Sequence, residues 1–124
     1  MLGQLVRRLR AENTFSLSLV AVLARLDREG SQTTSRLATA ERVRPQSMAQ
    51  TVAELQAAGL VSRTPDPTDR RQVLIGLTDE GRETLNADRR RREGWLAEAI
   101  AKLTPEEQET LIRAVPLLRR LTQL

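Results

Sequence analysis

Between Leu60 and Leu77 the spacing of apolar residues changes its period, and that change limits the folds open to this chain. On either side, apolar residues recur at intervals of three and four, the helical spacing. In the middle, Val73, Ile75 and Leu77 alternate with Gln72, Leu74 and Gly76, the strand spacing. Leu60 to Arg63 is short, apolar and partly β-branched, and Thr64-Pro65-Asp66-Pro67-Thr68-Asp69 is dense in turn formers. The pattern predicts two antiparallel strands, 60–63 and 73–77, joined by a Pro- and Asp-rich loop. A chain of 124 residues has room for one core, so the helices must pack around this hairpin.

Those helices can be placed. Leu2, Leu5, Val6 and Leu9 form one apolar face over 1–12, and Asn13 and Thr14 interrupt it. Ser16 to Arg28 carries Leu19, Val22, Leu23 and Leu26, with Ser16 or Ser18 as its cap and Gly30 past its end. Thr34 to Ala40 is a short helix with Leu37 and Ala38 inward, and Glu41 to Arg44 links it to the next. Pro45 opens that helix where its missing N–H is harmless. Met48, Val52 and Leu55 face the core, Gln46, Ser47, Gln50, Thr51 and Glu54 face away, and Gly59 ends it. Thr78 begins a long helix to about Lys102, anchored by Leu85, Trp95, Leu96 and Ile100. Thr104-Pro105-Glu106-Glu107 reads as a capping box for a last helix, which Pro116 should kink.

Composition narrows the function. The chain is 40% apolar and 29% charged, too apolar and too balanced for disorder. No apolar run approaches a membrane span, and Arg7, Arg8 and Arg10 break any signal-peptide core, so a cytoplasmic location is expected. With no Cys and no His, thiol chemistry, imidazole catalysis and most metal sites are excluded. No catalytic residue, metal ligand or cofactor is assigned, and an enzyme is not expected. The net charge of +4 suits a polyanionic partner, although Arg-rich usage can also reflect genome base composition.

The helices 34–40 and 45–58 form a helix-turn-helix, and the following hairpin is its wing. In such a pair the second helix enters the major groove and its N-terminal residues reach base edges. Gln46, Ser47, Gln50 and Thr51 have suitable chemistry, and Arg42 and Arg44 flank them as phosphate ligands. The same face also reads as a solvated helix surface. Arg70 and Arg71 sit in the wing loop, where an arginine can enter the minor groove, and Asp69 is spaced to orient Arg71. An exposed turn with a weak ion pair is the bland alternative. The run Arg89 to Arg92 fans around its helix, which favours a solvated surface or salt bridges to a partner subunit. Phe15 and Trp95 are the only aromatics, too few for a single-strand stacking platform.

Taken together, Leu37-Ala38, Gly59-Leu60-Val61-Ser62-Arg63, Asp69-Arg70-Arg71, Leu77-Thr78-Asp79-Glu80-Gly81 and Leu103-Thr104-Pro105-Glu106-Glu107 resemble the MarR family of bacterial regulators. The resemblance implies a mainly α fold with a small two-stranded β-wing. A single 1–124 domain would hold a winged helix-turn-helix lobe at 16–77 and dimerisation helices at 1–12 and 79–122. It implies a homodimer held by its outer helices, here through Leu2, Leu5, Leu9, Leu111, Val115 and Leu118. It further implies double-stranded, pseudo-palindromic operator DNA as partner, Arg71 in the minor groove with Asp69 supporting it, and repression relieved by a small lipophilic or aromatic acid inducer. The chain departs from the family pattern in a short first helix, in Arg44 where a capping Ser is usual, and in Pro116. A winged-helix protein-interaction module that never touches DNA is the rival reading.

Overall fold

Three threonines start three of the helices, and each does so by accepting a backbone N–H. Thr33 accepts from Arg36, Thr78 from Gly81 and Thr104 from Glu107, the last in a complete capping box with the Glu107 carboxylate returning to the Thr104 N–H. The computed structural model describes residues 2–12 and 16–123; the expectations for Met1, Asn13, Thr14 and Phe15 fall outside the described residues. The order is α1 (Leu2–Arg10), α2 (Leu17–Glu29), α3 (Thr34–Glu41), α4 (Pro45–Ala57), β1 (Val61–Pro65), β2 (Val73–Leu77), α5 (Asp79–Ala101) and α6 (Pro105–Leu121). Ser16 precedes α2 as expected, but its hydroxyl meets the Ser18 hydroxyl at 3.2 Å and caps no N–H. Gly30 (φ 84°) and Gly59 (φ 78°) turn the chain where a side chain would be strained.

The core is built from the inward stripes of α2, α3, α4, the hairpin and α5. Val22, Leu23 and Leu26 of α2 meet Leu37 of α3, Val52 and Leu55 of α4, Ile75 of β2 and Leu85 of α5. Neither α1 nor α6 contributes a buried residue. Trp95, Leu96 and Ile100 of α5 are only half-buried. Arg8 of α1 stacks over Trp95 with 4.6 Å to the ring centroid, a cation–π contact joining α1 to α5.

Strand β1 differs from the sequence expectation. It begins at Val61 and runs through Thr64 and Pro65, so the connecting loop is 66–72. Antiparallel pairing sets Val61 opposite Leu77, Arg63 opposite Ile75 and Pro65 opposite Val73. Gln32 and Ile75 exchange both backbone hydrogen bonds on the other side of β2, at 3.1 and 2.8 Å. Ile75 therefore faces its amide away from β1. By alternation, Pro65 also occupies a non-hydrogen-bonded position, where a missing N–H is harmless. The turn chemistry of Pro65 was outweighed by its edge position. Along α6, the helix runs through Pro116 to Leu121, as the placement of Leu118 and Leu121 on it required.

The end of α4, the base of the hairpin and the start of α5 meet at one joint. The Thr78 hydroxyl donates to the Gly59 carbonyl at 2.7 Å while accepting from Gly81 N–H at 3.0 Å. The Thr78 N–H donates to the Leu60 carbonyl at 3.1 Å. A Cβ on Gly81 would overlap that carbonyl oxygen and press on Leu77. Gly81→Ala should therefore cost about 2–3 kcal/mol of stability. Gly76→Ala, which meets only the rotatable Ser31 hydroxyl, should cost less. Urea denaturation of the two variants checks the ranking.

Candidate nucleic-acid interface

The turn before α4 is built from backbone. Helix α3 ends on Arg42 in the left-handed conformation (φ 57°, ψ 42°), with Val43 N–H bonded to the Ala38 carbonyl at 3.0 Å. Arg42 is the only non-glycine residue with positive φ among those described. Arg44 is extended and precedes Pro45, and no side chain caps α4. The first-turn N–H groups of Gln46 and Ser47 thus lack a cap and are open to an anion. That is the physical content of having Arg, not Ser, at position 44.

On α4, Met48, Val52 and Leu55 are buried while Gln46, Ser47 and Gln50 are exposed. Thr51 leans further in: with Ser47 it lines a cavity of about 400 Å3 against Leu17 and Ala21 of α2. The exposed polar face is thus centred on Gln46 and Gln50, with Ser47 and Thr51 on the flank toward α2.

The wing loop is braced by two aspartates. Asp66 accepts the N–H and the hydroxyl of Thr68 at 2.9 and 2.8 Å. Those bonds, the backbone one foremost, hold its carboxyl below the ordinary carboxylate range. Asp69 accepts Arg71 N–H at 3.1 Å and Arg71 Nε at 3.2 Å through one oxygen, with the other 3.4 Å from a terminal guanidinium nitrogen. Arg71 nevertheless remains 91% exposed. The predicted Asp69–Arg71 support is present, and it leaves the guanidinium face accessible. Arg70 is exposed beside it.

The arginines differ in how they are paired. Among the described residues, Arg28, Arg36, Arg42, Arg44, Arg63 and Arg70 have no carboxylate within 4 Å. The arginines facing the α2–α5 seam are different. Arg82 and Arg89 both pair with Asp27, and Arg91 pairs with the buried Asp88. The arginine run at 89–92 is therefore tied partly within its own chain, rather than reserved for a partner subunit. On the opposite side of α2, Arg25 pairs with Glu41 and Glu29, each at 2.6 Å, holding α2 to the end of α3.

Sequence reasoning passed over Asp27, Asp88 and Arg63. Arg63 shares its strand face with buried Val61 and lies opposite Ile75 but is itself exposed, and its Nε donates to Gln56 Oε1 of α4 at 2.6 Å. That break in alternation was the available signal. No helix among the described residues is long and apolar enough to cross a membrane.

Comparison with known proteins places this geometry. The MarR family model matches residues 15–73. An uncharacterised HTH-type transcriptional regulator of Mycobacterium bovis is 42% identical over 118 residues, spanning 93% of this chain and 82% of the relative. This chain belongs to the MarR family. It is a DNA-binding HTH-type transcriptional regulator and not an enzyme. A similar solved structure, a transcriptional regulator protein from Pseudomonas aeruginosa, has a TM-score of 0.88 at 40% identity, covering 99% of this chain and 89% of that one. The HTH-type transcriptional repressor MdtR of Bacillus subtilis is 30% identical over 102 residues, covering 82% of this chain and 64% of that protein. The MarR winged helix accounts for the six described helices and the hairpin.

The bonds at Asp66 give a pH signature for the wing of this MarR protein. Its pKa is lower folded than unfolded, so its contribution to loop order is present above the unfolded value and lost as pH falls through the folded value. Thr68→Val, which removes the hydroxyl donor, should move the Asp66 titration upward. Carboxyl-resolved NMR titration checks this.

Proposed function

We propose that this MarR regulator is a cytoplasmic homodimeric repressor that occupies a pseudo-palindromic operator and blocks polymerase. In this reading residues 16–77 are the DNA-binding lobe, and 1–12 with 79–122 are the dimer layer. One observation carries it. A polar helix face, an uncapped helix N-terminus and an exposed, carboxylate-held arginine lie on one lobe, while the outer helices leave their apolar residues uncovered. Leu2, Leu5, Leu111, Val115 and Leu118 are all more than 40% exposed, and Leu9 is partly so. A second copy would bury them. The two-fold would then present two recognition helices about 34 Å apart, one turn of B-DNA.

Within each half-site, Gln46, Ser47, Gln50 and Thr51 read base edges in the major groove. Arg42 and Arg44 take phosphates, and Arg71, held by Asp69 with Arg70 beside it, enters the minor groove. MdtR is named a repressor, which supports that mode of action. Arginines without a carboxylate partner suit a polyanion, and salt-dependent duplex binding would separate this reading from a protein-interaction module.

Relief by a small lipophilic or aromatic acid fits a second cavity, of about 330 Å3, among Val6 and Leu9 of α1, Val20, Ala21 and Ala24 of α2, and Arg92 of α5. Its walls are apolar, and Arg10 supplies positive charge for a carboxylate. Such a ligand releases DNA only by as much as it prefers the non-binding geometry. Salicylate-like acids should raise the melting temperature and weaken DNA binding together; neither change across a broad panel would argue for a constitutive regulator.

Fluorescence anisotropy with the duplex upstream of the gene tests the DNA surface. Arg71→Ala should weaken binding to most sequences, and Gln50→Ala should cost about 1–3 kcal/mol at one base position. Unchanged binding in both variants would overturn the assignment. Leu111→Asp with Leu118→Asp should convert the dimer to monomer in sedimentation and abolish operator binding.

A further inference from the structure

We infer that Arg63, seated by Gln56, grips a phosphate of the DNA strand that passes between the recognition helix and the wing. The inference rests on the reading of this lobe as the DNA-binding surface, and it adds a contact that neither the helix tip nor the hairpin tip supplies.

The argument begins with strand alternation. Val61, Arg63 and Pro65 share the face of β1 that looks toward Ile75, and Val61 and Ile75 are buried. A cation stands where this face leaves the core. Its side chain runs sideways to α4, where Nε donates to Gln56 Oε1 at 2.6 Å. That bond uses one of five donors and leaves both terminal nitrogens of the fork for a partner. No described carboxylate lies within 4 Å of them. A neutral amide therefore orients this guanidinium without cancelling its charge, an arrangement suited to an external anion and of little use to a structural ion pair.

Position identifies the anion. At about 100° per residue, Gln56 lies roughly 120° around α4 from Gln50, on the flank opposite Ser47 and Thr51. That flank faces the hairpin. Ala53 and Ala57, both exposed, present nothing long enough to cover the guanidinium. A helix in the major groove and a wing tip in the adjacent minor groove must straddle the sugar–phosphate strand between them. Arg63 stands at the junction of those two elements, so the anion is a backbone phosphate and not a base edge.

The dimer is assayed by anisotropy with the upstream duplex and with an unrelated duplex, from about 50 to 200 mM salt. Arg63→Ala should weaken both duplexes by a similar factor, about tenfold, and lower the slope of log K against log salt by about 2 per dimer, one phosphate per subunit. Gln56→Ala keeps the charge and should retain the slope. Gln56→Glu is decisive: it strengthens the link to Arg63 but neutralises it. A bracing role predicts binding as good as the parent, whereas phosphate contact predicts a loss and a reduced slope. Thermal melting shows whether Arg63→Ala is folded, and Gln56→Glu decides the matter if it is not. An unchanged slope in folded Arg63→Ala, or parental binding by Gln56→Glu, overturns this inference alone. A parent protein whose duplex binding ignores salt overturns the DNA-binding reading and this inference with it.

Discussion

The Leu60 carbonyl is the point on which the lobe is assembled. It accepts the Thr78 N–H, and its oxygen lies against the bare Cα of Gly81, while the Leu60 N–H closes the end of α4 by donating to Leu55 at 2.9 Å. Thr78 completes the circuit through its hydroxyl, which links Gly59 to the first turn of α5. Three elements are tied by backbone groups of a few residues and the Thr78 hydroxyl, in addition to the core packing of Leu55, Ile75 and Leu85. The spacing from Gly59 to Gly81 is the sequence image of that circuit. A recognition helix and a wing can address one duplex only if the angle between them is fixed, and this joint fixes it.

Helix α2 joins the lobe to the outer layer by charge as well as by packing. Asp27 reaches Arg82 and Arg89 of α5, and two residues earlier Arg25 reaches Glu41 at the end of α3. Arg25, Glu41 and Asp27 are partly shielded from solvent, where ion pairs fix geometry more reliably than on an open surface. The apolar cavity proposed for an inducer has α2 as its wall, and Glu41 directly precedes the left-handed Arg42 that aims α4. Displacement of α2 would thus act on the turn that orients the recognition helix, through contacts with a defined location.

Much of this was legible from the residues alone. The helices were readable from their apolar stripes, reinforced where start or stop residues agreed, as at Met48, Val52 and Leu55 or at Thr104-Pro105-Glu106-Glu107. The face of α4 and the Asp69–Arg71 fork followed from local spacing. What escaped depended on partners distant in sequence. Pro65 reads as a loop residue until its edge position is known, and nothing local in Gln32 predicts that it pairs with Ile75 across more than forty residues. Asp88 carries no signal in the local pattern, yet it is 1% exposed beside Arg91. Burial of a charged group is set by the neighbours that arrive on folding, and no periodicity encodes them.

Helix α6 supplies the remaining argument. It buries none of its residues within the chain, although Leu111, Ile112, Val115, Leu117, Leu118 and Leu121 line its length. Most helix stability in proteins comes from packing an apolar face, and within α6 the Ile112 carbonyl has lost its usual donor to Pro116. A capping box adds only on the order of 1 kcal/mol, too little to hold such a helix against solvent. Its stability must come from covering the leucine face. A second copy does so under the proposed two-fold, and folding of the outer layer and assembly of the dimer then become one equilibrium. In that case the spacing of the two recognition helices depends on the same apolar contacts that keep α6 a helix, and a dimer interface loosened by mutation would lose operator geometry before the lobes lost their fold.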